Sequence, residues 1–471
     1  MIAAAKPQMF SSPRVAVEHD SALSPSRAGA LLAFCLGLLA FLPYPAIPAG
    51  RNSAIQAGNV LTLFMVLPTL AVTWRRRPFQ FYPLLLAPLL LSTLKVAALG
   101  GDAVLSLKSL TVWGVSGLTM VATQLYAPRF GRQLMAGIAA ATLVHSAVGM
   151  WQLYGFTHNE LPLVELYINP SFLSVQDNAR VIATYIQRPF GLFPEPSAMS
   201  SSLAPWVLLW LAEAFGVVRF AGASARWQRA LFFAAATGGM LLIVLSRSGH
   251  AAVTVAGALL LFGMWVKNAP TGIRSYATLL LVFGVVLPGL LWLTVNSLHE
   301  RVATEVSSNE SWDERASSLV FGAKLIAGGD LPSILMGLGV GQSATMLWDL
   351  AGLDAVWSVL LTYVYETGLI GALTLGWVGW SLFTVCRNGR TKVLYLLFAG
   401  VWLVGVTITT SYQQLLPLWV AFGWLTVWPD VCKSPRRSDE LAFARPNRFE
   451  PAGLGAGALA RVGSGLENAD E

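Results

Sequence analysis

The stretch Phe79-Gln-Phe-Tyr-Pro-Leu-Leu-Leu-Ala-Pro-Leu-Leu-Leu-Ser-Thr-Leu-Lys-Val-Ala-Ala-Leu99 is almost wholly apolar and follows three consecutive arginines, Arg75–Arg77. A helix needs about 20 such residues to cross a hydrocarbon core of roughly 30 Å. Similar windows recur from near residue 28 to near residue 428, and the chain is 55% hydrophobic but only 12% charged. Soluble domains carry roughly 25% charged residues. The sequence therefore predicts an all-α integral membrane protein.

The apolar windows predict about twelve transmembrane helices. They cover residues 28–48, 55–73, 79–99, 103–126, 134–155, 198–218, 228–247, 250–267, 275–297, 357–383, 393–410 and 412–428. Residues 1–27 then form a cytoplasmic N-terminal segment, and the polar, glycine-rich residues 429–471 form a disordered cytoplasmic tail. The first span also fits a signal peptide cleaved near Pro48-Ala49-Gly50, but the later spans already retain the chain in the membrane.

Topology explains the net charge of +7. With the N-terminus inside, 22 of the 31 lysines and arginines fall in cytoplasmic loops or termini, as the positive-inside rule requires. Both termini are predicted to be cytoplasmic, and no nucleic-acid partner is expected. Two long loops, residues 156–197 and 298–356, then lie on the outer side of the membrane and contain short amphipathic helices. Loops of this length are usually functional.

The first outer loop ends in the decapeptide Arg188-Pro-Phe-Gly-Leu-Phe-Pro-Glu-Pro-Ser197. An arginine beside a bilayer is generally kept for a partner or a cavity, so Arg188 is a candidate ligand for an anion. Glu195 is a candidate proton acceptor. A carboxylate just before Pro196 also fits a purely structural role at the positive end of the next helix.

Ser246-Arg247-Ser248-Gly249-His250 marks another outer turn, in which Gly249 allows a tight connection. A turn of this kind does not need an arginine, because lysine or serine would keep it soluble equally well. Arg247 is therefore a candidate anion ligand. His250 is a candidate general base because the ordinary pKa of histidine lies near neutrality. The alternative for His250 is a solvated turn histidine.

The second outer loop holds three further candidates. Ser311-Trp-Asp-Glu314 has the form of a capping box, and Gly328-Gly329 predicts the end of the amphipathic helix that carries Arg315. Arg315 binds either an anionic substrate or lipid phosphate. The run Gly337-Leu-Gly-Val-Gly341 is either a phosphate-cradling turn, with Gly339 and Gly341 as candidates, or a simple turn without the lysine of a P-loop.

Glu366 lies inside the tenth predicted span. A carboxylate within a span is a functional candidate by default, although it also fits a pair with Lys95 or Lys108 in the bundle. The sequence contains no His-Glu-x-x-His motif and no cysteine–histidine cluster, so we expect no metal ion.

Five elements, taken in chain order, resemble the O-antigen ligase and Wzy-type polysaccharide polymerase superfamily. They are Arg-Pro-Phe-Gly-x-Phe-x-Glu-Pro-Ser, Ser-Arg-Ser-Gly, Arg315 in a long outer loop, Gly337-x-Gly339-x-Gly341 and Glu366-x-Gly368-x-x-Gly371. The resemblance covers roughly residues 180 to 375. It implies about twelve spans in a bacterial inner membrane, no metal or other cofactor, and a cavity on the periplasmic face for glycans carried on undecaprenyl pyrophosphate. The implied reaction is glycosyl transfer, either by a polymerase of repeat units or by a ligase to lipid A core sugar.

The resemblance also implies residue roles. Arginines at the positions of Arg247 and Arg315 hold the pyrophosphate, and we extend this role to Arg188. Ligases carry a histidine shortly before the Glu-x-Gly element, where this chain has Asp354, and the difference favours a polymerase. Glu195 is then the first candidate for the base, with Asp354 and His250 behind it. The predicted substrate contacts are completed by Ser197, Gly339, Gly341 and Glu366.

Guanidinium groups suit a pyrophosphate because they bind phosphate oxygens in pairs through charge-assisted hydrogen bonds. The main alternative from another class is a transporter or flippase of lipid-linked glycans, for which twelve spans are also common. The two halves of the chain do not resemble each other, and the candidate charges gather at the outer face, which disfavours a transporter. The expected partners are the undecaprenyl-pyrophosphate-linked glycan, the lipid bilayer and a copolymerase that regulates chain length.

Overall fold

The computed structural model describes residues 27–44, 46–50, 53–69, 81–167, 175, 179–220, 226–268, 307–352, 356, 358–385, 391–409 and 414–433. Most of these residues are helical. The helices are α1 (Arg27–Ala40), α2 (Ala57–Val66), α3 (Phe81–Leu99), α4 (Ala103–Phe156), α5 (Pro196–Ala214), α6 (Arg226–Leu245), α7 (Gly249–Asn268), α8 (Ser307–Ala327), α9 (Leu331–Met336), α10 (Ser343–Ala351), α11 (Val359–Val385), α12 (Lys392–Val404), α13 (Leu416–Thr426) and α14 (Trp428–Val431). Shorter turns are Val164–Leu166, Ala179–Val181 and the π-helical segments Ile182–Ile186 and Gly405–Thr409.

Five of the described helices are long and apolar enough to cross a membrane. They are α3, α4, Trp227–Leu245 of α6, Gly249–Val266 of α7 and Val359–Thr384 of α11. The prediction of a helical membrane protein is therefore confirmed at this level. The predicted span 275–297 lies outside the described residues, and the number of twelve spans stays a prediction.

The first predicted span, 28–48, is helical only over α1. A helix of 14 residues covers about 21 Å, which is shorter than a hydrocarbon core. Pro43 follows the helix end and lacks a backbone donor, so the helix does not continue. The chain instead forms a hairpin of β1 (Ala46–Gly50) and β2 (Ser53–Gln56), which the sequence did not predict.

Helix α4 combines two predicted spans, 103–126 and 134–155. A straight helix of its 54 residues would be about 81 Å long, well beyond the thickness of a bilayer. Phe130 leaves the helical region, with φ −124° and ψ 28°, two residues after Pro128. Proline removes a helical hydrogen bond and kinks the chain, so the two predicted spans are joined at a kink without a loop.

Helices α1 and α4 approach each other at two glycines. A Cβ atom on Gly37 would lie 2.2 Å from the carbonyl oxygen of Leu134, and one on Gly137 would lie 2.0 Å from that of Phe34. Small residues that let helix backbones touch are the main packing device between helices in lipid.

Helix α5 lies at the centre of the described helices. Trp206 of α5 is fully buried. Its ring meets Phe398 of α12 edge-on, with the ring centroids 5.3 Å apart, and meets Trp424 of α13 at 5.5 Å. Aromatic pairs at such angles and distances add to the stabilisation from burial alone.

The predicted inner end of the bundle contains a buried ion pair. Arg132, which the sequence assigns to the cytoplasmic charges, is 3% exposed, and its Nη1 lies 2.9 Å from Oε1 of Glu213. Nearby, β3 (Arg219–Phe220) pairs with β4 (Cys432–Lys433), so the chain beyond residue 428 continues as α14 and a short strand. The remainder of the predicted tail lies outside the described residues.

In the second outer loop the capping-box prediction was wrong about the helix start. Helix α8 begins at Ser307, four residues before Ser311, and ends at Ala327, next to the predicted stop at Gly328. Ser311 therefore lies inside the helix. Apolar residues of α8 pack with Tyr365 of α11, whose hydroxyl donates to the carbonyl of Leu319 at 2.8 Å.

We expect Gly137→Ala to lower the free energy of unfolding by about 2 kcal/mol, because the added methyl group would meet a backbone oxygen that cannot rotate away. The matched control is Gly263→Ala in α7, where a Cβ atom meets nothing within 4 Å. Alanine in an open helical position should stabilise slightly. Thermal unfolding in detergent measures both variants, and equal midpoints would contradict the close approach of α1 and α4.

Candidate functional site

The decapeptide 188–197 is held by the side chain of Gln152 from α4. The backbone N–H groups of Phe190 and Gly191 donate to Oε1 of Gln152, at 2.9 Å and 3.0 Å. Nε2 of Gln152 donates to the carbonyl of Gly191 at 2.9 Å and to the hydroxyl of Tyr167 at 2.6 Å. One buried amide side chain thus binds both backbone groups of an irregular segment.

Tyr167 completes this set of hydrogen bonds. Its hydroxyl donates to the carbonyl of Gly191 at 2.7 Å. Burial raises the pKa of Tyr167, so the hydroxyl remains protonated and keeps its role as a donor.

His145, about two helical turns before Gln152, binds the next residue of the decapeptide. The N–H of Leu192 donates to Nδ1 of His145 at 3.0 Å. Because Nδ1 accepts, the proton of the neutral ring is on Nε2, which donates to the carbonyl of Phe41 at 2.6 Å. The imidazole therefore joins the decapeptide to the chain after α1.

Arg188 fixes the corner between α6 and α7. Its Nε donates to the carbonyl of Ser246 at 2.6 Å, and its Nη2 donates to the carbonyl of Arg247 at 3.0 Å. Free carbonyls at a helix end are stabilised by a cation. Two donors of Arg188 therefore hold this protein's own backbone.

Arg247 adopts an unusual backbone conformation. Its φ is +53°, in the left-handed region that favours glycine, and its side chain is exposed. Gly249, to which the sequence assigned the freedom of this turn, is instead the first residue of α7 and has no positive φ. Strained non-glycine residues of this kind cost of order 1–3 kcal/mol and cluster at functional sites.

Glu195 and Ser197 begin α5 beside this corner. Glu195 occupies the N-cap position without a side-chain bond to the helix backbone, and its Oε1 accepts from the hydroxyl of Ser197 at 2.5 Å. Further along the first turns, the hydroxyls of Ser200 and Ser246 are 2.9 Å apart. The decapeptide, the start of α5 and the α6–α7 corner therefore form one connected group.

His250 is fully buried, so the solvated alternative was wrong. Among the described residues, neither of its ring nitrogens has a hydrogen-bond partner. It occupies the first turn of α7, three residues after Arg247.

The glycine run and Glu366 form a second connected group. The N–H of Gly341 donates to Oε1 of Glu366 at 2.9 Å, and the hydroxyl of Ser343 donates to the same oxygen at 3.0 Å. Oε2 accepts from Nε1 of Trp113 at 3.3 Å. Glu366 is therefore held by three neutral donors, while Lys95, its predicted partner, donates to the carbonyl of Gly337 at 2.6 Å.

These contacts favour a packing turn over a phosphate cradle. Gly337, Gly339 and Gly341 all have positive φ, from +76° to +116°, and a Cβ atom on any of them would lie within 2.5 Å of a neighbouring atom. The run docks on a break in α11 at Gly368, where φ is +63° and ψ is −151°. The N–H of Gly341 is engaged by Glu366 and is not available to a phosphate.

A cavity of about 350 Å³ lies between α3, α4, α11, α12 and α13. Its wall is apolar, and the polar atoms of its aromatic residues bond to the protein itself: the hydroxyl of Tyr82 to the carbonyl of Gly114, at 2.9 Å, and that of Tyr363 to the carbonyl of Leu85, at 2.8 Å. The cavity therefore suits a hydrocarbon chain. Trp113 lines it and connects it to Glu366.

Two predicted site residues have no described side chain. Arg315 lies in α8, of which only the backbone is described at that position, and Asp354 lies outside the described residues. In the described ranges, no three histidine, cysteine or carboxylate side chains gather in a way that would hold a metal ion.

Sequence reasoning missed Gln152 and His145. Both are polar residues within a predicted span, where an uncompensated polar group is expensive. That cost was the available signal for a buried partner. The sequence could not show that the partner was the backbone of residues 190–192.

Comparison with known proteins adds no assignment: no protein-family model, no curated protein and no solved structure matches this chain.

We expect Gln152→Leu to lower the free energy of unfolding by about 3 kcal/mol, because it leaves the buried N–H groups of Phe190 and Gly191 without an acceptor. Tyr167→Phe removes one hydroxyl and should cost about 1 kcal/mol. The control is Tyr154→Phe, whose side chain is 67% exposed. Chemical unfolding in detergent measures the stability of the three variants. A Gln152→Leu variant as stable as the control would contradict the hydrogen bonds from Gln152 to Phe190 and Gly191.

Proposed function

We propose that the protein is a membrane glycosyltransferase that joins oligosaccharide repeat units carried on undecaprenyl pyrophosphate into exopolysaccharide or O-antigen. The observation that supports this most is the corner at Arg247. Arg188 binds the carbonyls of Ser246 and Arg247, so an exposed arginine is held in a strained turn next to the first residues of α5. The predicted topology puts this corner at the periplasmic face of the inner membrane.

The proposed chemistry needs cations at the leaving group. A hydroxyl of the acceptor repeat unit attacks the anomeric carbon of the growing chain, the bond from that carbon to the pyrophosphate oxygen breaks, and undecaprenyl pyrophosphate departs with the electron pair. Arg247 and Arg315 stabilise the charge that develops on the leaving group. Arg188 acts chiefly by holding Arg247 in place.

The apolar cavity also fits this proposal. A prenyl carrier needs hydrocarbon surface within the bilayer, and the cavity provides it between spans α3, α4 and α11. In this proposal the cavity takes part of the prenyl chain while the pyrophosphate lies at the outer face.

The sequence favours a polymerase over a ligase because Asp354 stands where ligases have a histidine. The same proposal includes twelve spans, cytoplasmic termini and a partner protein that regulates chain length.

Deleting the protein and analysing lipid-linked glycans tests the reaction. For a polymerase, single repeat units accumulate on the outer leaflet and polymer disappears. Units trapped on the inner leaflet would point to a flippase, and complete polymer retained on the undecaprenyl carrier would point to a ligase. Either of these two results would overturn the proposal.

In the deletion strain, we expect Arg247→Ala and Arg315→Ala to reduce polymer at least about 100-fold, since each removes a charge that stabilises the leaving group. Arg247→Lys should keep partial activity at best, because an ammonium group lacks the paired donors of a guanidinium. The control is Arg180→Ala, an exposed arginine in the first outer loop. If both alanine variants, present at wild-type protein levels, made glycan of wild-type chain length, the proposed role of Arg247 and Arg315 at the leaving group would be excluded.

A further inference from the structure

His145 and His250 are both fully buried, but they differ in whether their ring nitrogens have hydrogen-bond partners. Both ring nitrogens of His145 are bonded to backbone groups, as expected for a structural histidine. In the described parts of the chain, His250 is equally buried, and neither Nδ1 nor Nε2 has a partner. Buried polar groups are nearly always bonded, so an exception needs an explanation such as a ligand, a water molecule or a catalytic role.

The elements next to His250 carry two other unpartnered hydroxyls among the described residues. The hydroxyls of Ser248, just before α7, and Ser202, on α5, are also buried without a hydrogen-bond partner among the described residues. A Cβ atom on Gly405 would lie 3.0 Å from Cβ of Ser201 and 3.6 Å from Nε2 of His250. The imidazole therefore lies where α5, the start of α7 and the π-helical segment 405–409 meet. Such segments frequently occur at functional sites.

His250 is close to the arginine corner both along the chain and through α5. His250 follows Arg247 by three residues, and the hydroxyl pair of Ser200 and Ser246 joins α5 to the same corner. The π-helical segment reaches α11 as well, because the hydroxyl of Ser358 donates to the carbonyl of Val406 at 3.4 Å.

We propose that His250 is the base that accepts the proton of the acceptor hydroxyl. This inference rests on the proposed function and puts His250 ahead of Glu195, the first candidate from the sequence, because both ring nitrogens of His250 are buried without a partner among the described residues. As the hydroxyl oxygen bonds to the anomeric carbon, its O–H bond breaks and the proton moves to a free ring nitrogen of His250. The sugar–pyrophosphate bond breaks in the same transfer, and His250 then releases the proton to water. Because the ring is buried, the acceptor hydroxyl would have to reach it beside Gly405.

The test uses full-length protein in proteoliposomes with the lipid-linked repeat unit as donor and acceptor. His250→Gln preserves polarity but supplies no base, and we expect the transfer rate to fall at least about 100-fold, with binding of the lipid-linked unit changed by less than about twofold. The matched control is His158→Gln, at an exposed histidine, which should keep the wild-type rate. A His250→Gln rate within about tenfold of wild type would overturn the assignment.

Chemical rescue separates a base from a structural side chain. In His250→Ala, added imidazole should restore transfer, whereas pyrrole, which has a similar ring without a basic nitrogen, should not. Equal effects of the two additives would show that the ring only fills space, and no effect of imidazole would also count against the assignment.

A further variant leaves His250 unchanged, which covers the case in which its substitution prevents folding. Gly405→Ala places a methyl group beside Nε2 and should reduce transfer about tenfold, whereas Gly400→Ala in α12, where a Cβ atom meets nothing within 4 Å, should not. Equal rates for the two variants would overturn the inference. If the wild-type protein itself does not lengthen the glycan, the proposed function fails; if it does and His250→Gln does too, only the role of His250 fails.

Discussion

The structure depends on hydrogen bonds between side chains of α4 and the backbone of residues 190–192. Irregular backbone at membrane depth is tolerated only where other groups satisfy its N–H and C=O groups. Gln152 and His145 do this for three consecutive residues. These hydrogen bonds allow a non-helical segment to pass among buried helices. They also set where α5 begins and where Arg188 can reach.

The same solution occurs at the second outer loop with a carboxylate in place of an amide. Glu366 accepts from Gly341, Ser343 and Trp113, and the glycine run docks where Gly368 breaks α11. Both groups join an irregular outer segment to a long helix through buried polar side chains. In each, a motif that stood out in the sequence is the segment being held; Glu366 was itself a candidate from the sequence, whereas Gln152 was not.

The membrane class, the division of α4 between two apolar windows and the end of α8 at Ala327, next to Gly328, follow from local pattern, because apolar length and glycine act over a few residues. The start of α8 did not follow, since a capping box indicates where a helix can begin and not where it does. The roles of Gln152, His145 and Trp113 depend on contacts between residues far apart in the chain, which periodicity does not encode. For the site, the sequence selected Arg188, Arg247 and His250 as candidates, but only the structure separates an arginine that binds backbone from one that is exposed.

The left-handed backbone of Arg247 has an evolutionary consequence. At such a φ, glycine is the residue that the main chain itself favours, so mutation toward glycine would relax the turn and tend to stabilise the fold. If the Arg247 side chain has a function, selection for stability favours glycine at this position and selection for activity favours arginine. Without selection on the side chain, this position would be expected to drift to glycine or asparagine early, whereas Gln152 and His145, which satisfy the backbone of residues 190–192, would be retained.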